Sequence, residues 1–160
     1  MERKTNYIYL AISLFVLYVL QEIAQVKFAP LENLQANETY RRWSGLVVFL
    51  FVTWQWALSV VRIKWAHKPA RVEKFYTIHA WIGSFAPLLF YLHSTKPGFA
   101  YLLVLTLSFY ANFCLGLINL DVLKKRAYWY FQSWMIAHVS LSIIITGLSI
   151  YHVWIVFYYN

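Results

Sequence analysis

The sequence predicts an all-α fold, a polytopic membrane helical bundle of five transmembrane helices forming a single integral membrane domain over residues 1–160. Three observations predict it. Hydrophobic residues make up 61% of the 160 positions and charged residues only 12%, and the mean hydropathy is +0.53. Soluble domains carry about 25% charged residues, so this chain cannot cover itself with a water-compatible surface. The apolar residues are also gathered into five stretches, each near the roughly 20 residues that a helix needs to cross the hydrocarbon layer. Finally, the 14 Lys and Arg residues lie mostly between those stretches, the distribution that encodes membrane topology. Disorder and collagen-like repeats fail on the same composition. A disulfide scaffold fails because Cys114 is the single cysteine. The net charge of +8 serves topology here, and nucleic-acid binding is not expected.

The five spans cover residues 7–28, 43–63, 75–94, 98–120 and 130–158. The first turns polar at Gln21, Glu22 and Gln25. Its apolar core is long and no small-residue cleavage site follows, so an uncleaved helix is expected rather than a signal peptide. In the second span Trp54 and Trp56 read as packing residues, and Gln55 reads as an interhelical hydrogen bonder, as do Asn112 and Asn119 further on. The third span ends in a tight turn at Thr95, Lys96, Pro97 and Gly98. In the fourth, Cys114 reads as a small hydrophobe. The fifth is longer than a crossing requires and opens on an aromatic interfacial turn at Tyr128, Trp129 and Tyr130. No Gly-rich phosphate loop or second domain is visible.

Orientation follows from the cations. With a cytoplasmic N-terminus the inner segments hold Arg3, Lys4, Arg62, Lys64, Lys68, Arg71, Lys74, Lys124, Lys125 and Arg126. The outer ones hold Lys27, Arg41, Arg42 and Lys96, so all 14 divide ten to four. The positive-inside rule favours this arrangement and places the C-terminus outside, with a bacterial plasma membrane as the expected location.

Four histidines carry the chemistry. His79 and His93 lie on the third span, and His138 and His152 on the fifth, each pair written H-x13-H. Fourteen residues are two heptads, so both members of a pair face one seam of a left-handed bundle. At 1.5 Å per residue they stand about 21 Å apart along the helix. The midpoints, Ala86 and Ile145, fall near the span centres. Spans three and five run in the same direction, which levels His79 with His138 and His93 with His152. Two facing imidazoles at two depths suit two bis-histidine haems, since imidazole offers iron a neutral nitrogen. The faces between the ligands read Ile82, Gly83, Ala86 and Phe90 on one helix and Leu141, Ser142, Ile145 and Ser149 on the other. Gly83 and Ser142 come one turn after their histidines, where bulk would block a flat ring.

Other readings of the four histidines are a proton relay, a non-haem metal, or interhelical hydrogen bonding alone. A tetrahedral zinc site is disfavoured because the two levels are too far apart to share an ion. His67 sits in a basic loop and reads as solvated. There is no C-x-x-C-H, so the haems are expected to be non-covalent b type. Haem propionates need cationic partners, and the candidates are Arg71 and Lys74 inside and Arg41, Arg42 and Lys96 outside. Glu22, an acid within a span, reads as an interfacial residue or part of a proton path.

His79, His93, His138 and His152 on their two H-x13-H helices make the chain resemble the ferric reductase and NADPH oxidase transmembrane superfamily. The resemblance covers roughly residues 43–158. It implies that these histidines ligate two haems of a cross-membrane electron wire. Members commonly have six membrane helices and often a cytoplasmic flavin and nicotinamide domain. This chain, with no flavin domain, resembles the stand-alone haem subunits that rely on a separate electron donor. The expectation is therefore a di-haem cytochrome b passing electrons from a donor protein or quinol to an acceptor on the other side. That acceptor would be a ferric complex, dioxygen or a periplasmic protein. The inside-to-outside direction is implied by the resemblance. A quinol-reactive cytochrome b, with quinone as a further ligand, and a non-haem transporter or scaffold are the rival expectations.

Overall fold

The computed structural model describes residues 6–24, 26, 28–118 and 128–159. The fold is all-α, with no strand among the described residues. Four helical stretches are long and apolar enough to cross a membrane, namely Asn6–Ala24, Glu38–Lys64, Pro69–His93 and Tyr128–Tyr158. By length and composition this is an integral membrane protein. A fifth apolar helix, Tyr101–Leu117, has 17 residues, and the expected continuation of that span to residue 120 lies outside the described residues. The chain forms two compact units, Met1–Thr95 and Lys96–Asn160.

The first unit holds α1 (Asn6–Ala24), α2 (Ala29–Ala36), α3 (Glu38–Gln55), α4 (Ala57–Lys64), α5 (Pro69–Ser84) and α6 (Ala86–His93). The second span starts earlier than its apolar run, because Asn37 caps α3 by accepting from the Tyr40 N–H at 3.1 Å. The third likewise gains a polar first turn, with Pro69 supplying the fixed φ that suits a helix start. Both spans are broken. The first break, at Trp56, separates α3 from α4. The second, at Phe85, separates α5 from α6, and Pro87 explains it: proline has no N–H to bond back to the carbonyl of Gly83. Pro87 is fully buried, as is Ser84, whose hydroxyl donates to the Trp81 carbonyl at 2.7 Å.

This break is the centre of the unit's core. Ser84, Ala86, Pro87 and Phe90 are all buried there. From α1, Tyr7 meets Trp81 edge-on with centroids 6.1 Å apart, and Tyr18 meets Phe90 at 6.3 Å. Leu58 and Val61 bury α4 against α5. Outside that core the helices present apolar side chains outward, among them Leu17, Ile23, Trp43, Leu50 and Ile63. Such a surface associates in water and is at ease in lipid.

The second unit is an antiparallel pair, α7 (Tyr101–Leu117) and α8 (Tyr128–Tyr158). Its entry is an irregular stretch in which Gly98 has φ +78°, a conformation that favours glycine, and Ala100 has φ +53°. Thr106 and Phe109 of α7 and Ile145 of α8 are buried. Tyr128, Trp129 and Tyr130, expected as an interfacial turn, are already the first residues of α8.

Candidate functional site

Each of the four span histidines is half-buried, whereas His67 is exposed. The two midpoint residues, Ala86 and Ile145, are buried, and none of the small or apolar residues expected between the ligands is exposed.

In the first unit, α3 holds one histidine near each of its ends. At its N-terminal end Ser44 Oγ lies 3.1 Å from His93 Nδ1. The Ser44 hydroxyl also reaches the Arg41 carbonyl at 3.2 Å. With its hydrogen given there, its oxygen accepts from a His93 Nδ1–H, the tautomer that puts the ring lone pair on Nε2. The imidazole also lies against the α3 backbone, because a Cβ at Gly45 would come 2.9 Å from His93 Cε1. Only glycine allows so close an approach. The carbonyls just before His93 are satisfied as well. Gln35 of α2 donates to Tyr91 O at 2.8 Å, and Tyr40 donates to Leu92 O at 2.9 Å. These bonds tie down the end of α6 that carries the ring.

At the C-terminal end of α3, the carbonyl of Gln55, its last residue, accepts from His79 Nδ1 at 3.3 Å. A carbonyl can only accept, so His79 too has its proton on Nδ1 and its lone pair on Nε2. Taking that carbonyl sideways accounts for a break at Trp56, where neither proline nor glycine is present.

The second unit repeats the Nδ1 contact at His152. Tyr101, the first residue of α7, places its hydroxyl 3.2 Å from His152 Nδ1. Near the other end of α7, Gly116 faces His138, whose Cε1 would be 3.8 Å from a Cβ there. Trp134 lies flat on His138, with centroids 5.5 Å apart and planes 6° from parallel. Its indole N–H donates to the Leu115 carbonyl at 2.7 Å, which fixes the plate on which the imidazole rests.

Ser44, Gly45, Tyr101 and Trp134 were not singled out by sequence reasoning. A Ser-Gly pair at the polar start of an aromatic-rich span, and an aromatic ring one turn before His138, are the signals that carried them. The cations expected near a ligand are divided. Arg42 is paired with Glu38, Arg71 sits over the Trp65 ring at 4.8 Å, and Arg41, Lys74 and Lys96 are exposed. Glu22 and Cys114 are half-buried. Gln25, Asn119, Arg3, Lys4, Lys27, Lys124, Lys125 and Arg126 lie outside the described residues.

Among the described residues no group of three or more His, Cys, Asp or Glu side chains is set to hold a metal ion. A haem iron asks for less, two neutral imidazole nitrogens with room beside them. The rings present suit that demand singly: they are oriented, His79 carries its proton on Nδ1, Gly83 and Ser142 stand one turn beyond His79 and His138, and within each unit the two histidines lie near opposite ends of one helix. Comparisons of the chain with protein families, with curated proteins and with solved structures find no match.

Proposed function

We propose that this protein is a di-haem b-type membrane cytochrome, resembling the ferric reductase superfamily, that carries electrons across the bilayer from a separate donor to an acceptor on the opposite side. His79, His93, His138 and His152 are the residues that would hold the two haem irons. The pairing of His79 with His138 and of His93 with His152 rests on the sequence spacing. The five-span topology, with a cytoplasmic N-terminus, an outer C-terminus and a bacterial plasma membrane as the location, rests on the apolar runs and the distribution of Lys and Arg. The observation that supports the reading is the treatment of Nδ1. Haem-ligating histidines hold the second nitrogen in a hydrogen bond, which fixes the ring and raises its basicity. Ser44 Oγ and the Gln55 carbonyl do this for His93 and His79.

When bound, each haem supplies a one-electron carrier whose potential follows ligand basicity, burial and nearby hydrogen bonds. The chain's own residues do the rest. Gly45 lets His93 sit against α3, Trp134 holds His138 flat, and Tyr101 fixes His152 in rotation. The outward apolar side chains of both units keep water from the ligand faces.

The test is haem content and the reduced-minus-oxidised spectrum of the purified chain. Two haems per chain are expected, falling to one in each of His79→Ala, His93→Ala, His138→Ala and His152→Ala. A folded but colourless wild type overturns the proposal, and a variant that keeps both haems overturns the assignment of that ligand.

A further inference from the structure

Gln55 contributes more than its backbone. Its side-chain Oε1 and Nε2 are both buried and have no hydrogen-bond partner among the described residues. The amide reaches across to α5, where a Cβ added at Gly83 would lie 3.8 Å from Nε2. Gly83 is one helical turn beyond His79, so the amide stands beside the histidine whose Nδ1 its own carbonyl holds. Two groups of one side chain carry the desolvation penalty of an unmade bond, in a span where lipid offers no replacement. Such groups persist where something else meets them.

The second unit has a related residue in the matching register. Asn112 of α7 donates from Nδ2 to Ser142 Oγ at 3.0 Å, and Ser142 is one turn beyond His138. The Ser142 hydroxyl donates to His138 O at 2.8 Å, which settles the amide orientation. The Asn112 atom buried without a partner is therefore Oδ1. Each unit by itself thus sets a primary amide one turn from a histidine, on the mid-span side. In the second unit one amide N–H is already used, whereas the Gln55 side chain keeps all of its donors and its acceptor.

We propose that the Gln55 amide is a second polar contact for the planar ligand at His79, hydrogen-bonding an oxygen function of that ligand. This inference rests on the reading in the preceding subsection. Two ligands carry that chemistry next to a haem-ligating histidine, the carboxyl group of the haem itself and the ring oxygen of a quinone or quinol. Nε2 donates to a carboxylate or quinone oxygen, and Oε1 accepts from a protonated carboxyl or a quinol hydroxyl.

The test compares wild type with Gln55→Leu in the full chain, purified with its haem and freed of quinone. Gln55→Met replaces it where the leucine variant fails to fold. A change of roughly tenfold in the reduction equilibrium of one haem, about 59 mV for a one-electron couple, identifies the haem carboxyl as the partner. The affected haem is the one lost in His79→Ala. Unchanged potentials together with roughly tenfold weaker binding of a short-chain ubiquinone, followed by tryptophan fluorescence, identify the quinone oxygen. Wild-type potentials and wild-type quinone response in the variant overturn the inference while leaving the cytochrome reading intact. A colourless wild type overturns both. The chain made without haem gives an independent readout. There Gln55→Leu removes an unmet polar group and is expected to melt no lower than wild type, whereas in the haem- or quinone-loaded chain it melts lower. A fall of equal size in both forms marks a merely structural glutamine and also overturns the inference.

Discussion

Two glycines that look alike in the sequence are set apart by what stands over them. Gly45 and Gly147 both lie inside helices, where replacing glycine by alanine ordinarily gains about 1 kcal/mol. At Gly147 an added Cβ meets nothing within 4 Å, so Gly147→Ala is expected to be neutral or stabilising. At Gly45 the same methyl comes 2.9 Å from His93 Cε1. The ring cannot move away freely, because Ser44 holds its Nδ1 and Gln35 and Tyr40 hold the carbonyls before it. Overpacking of this kind costs about 1–3 kcal/mol, which outweighs the helix gain. Gly45→Ala is therefore expected to destabilise the chain, and Ser44→Ala to cost about 1 kcal/mol through its lost hydrogen bond. Equilibrium unfolding of the purified protein in mixed detergent measures all three, and a Gly45→Ala variant as stable as Gly147→Ala would remove His93 from the α3 surface.

At the scale of the helix, the spans were legible and their interruptions were not. Runs of apolar residues announced where helices lie, and the H-x13-H spacing announced four candidate ligands. Hydropathy stops where the side chains turn polar, whereas the backbone continues as long as a cap is available, so α3 begins at Glu38 and α5 at Pro69. Pro87 advertises a break in the sequence, but a run read for hydrophobicity passes straight through it. The break at Trp56 has no residue of its own to announce it, since its cause is His79, 24 positions away, taking the Gln55 carbonyl. The heptad argument that puts His79 and His93 on one seam assumes a continuous helix, and the break at Phe85 lies between them. α3 accommodates this by offering a different partner at each end. If Pro87 causes that break, Pro87→Ala restores the missing N–H and straightens the stretch. Spin labels at Lys74 and Leu92, both exposed, measure it by pulsed electron resonance. The separation is expected to lengthen toward the roughly 27 Å of 18 residues in a straight helix. An unchanged distance would locate the cause in the packing around Ser84 instead.

For the whole molecule, the number of crossings decides which side of the membrane each histidine serves, and that number turns on α7. Its 17 residues extend about 26 Å as a helix, a little short of the roughly 30 Å hydrocarbon layer. A short apolar helix crosses by thinning the bilayer locally or by reaching the interface with its flanking side chains, at a modest cost per ångström. Tyr101 at its start is suited to that boundary. The alternative, an apolar helix that never crosses, would leave Leu103, Val104 and Leu107, all exposed, to water. The two cases differ in parity. With α7 crossing, the chain has five spans and its ends lie on opposite sides. Without it, there are four and the ends lie together. On the proposed topology the exposed cations between the second and third spans, Arg62, Lys64, Lys68, Arg71 and Lys74, mark the cytoplasmic side. Alkaline phosphatase fused after residue 160 is therefore expected to be active and a green fluorescent protein there dark, whereas the same reporters inserted at His67 give the reverse. Fluorescence at both positions would mean that α7 stays uncrossed on the outer side. It would also set His138 and His152 in a helix running opposite to His79 and His93, which levels His79 with His152 instead of His138.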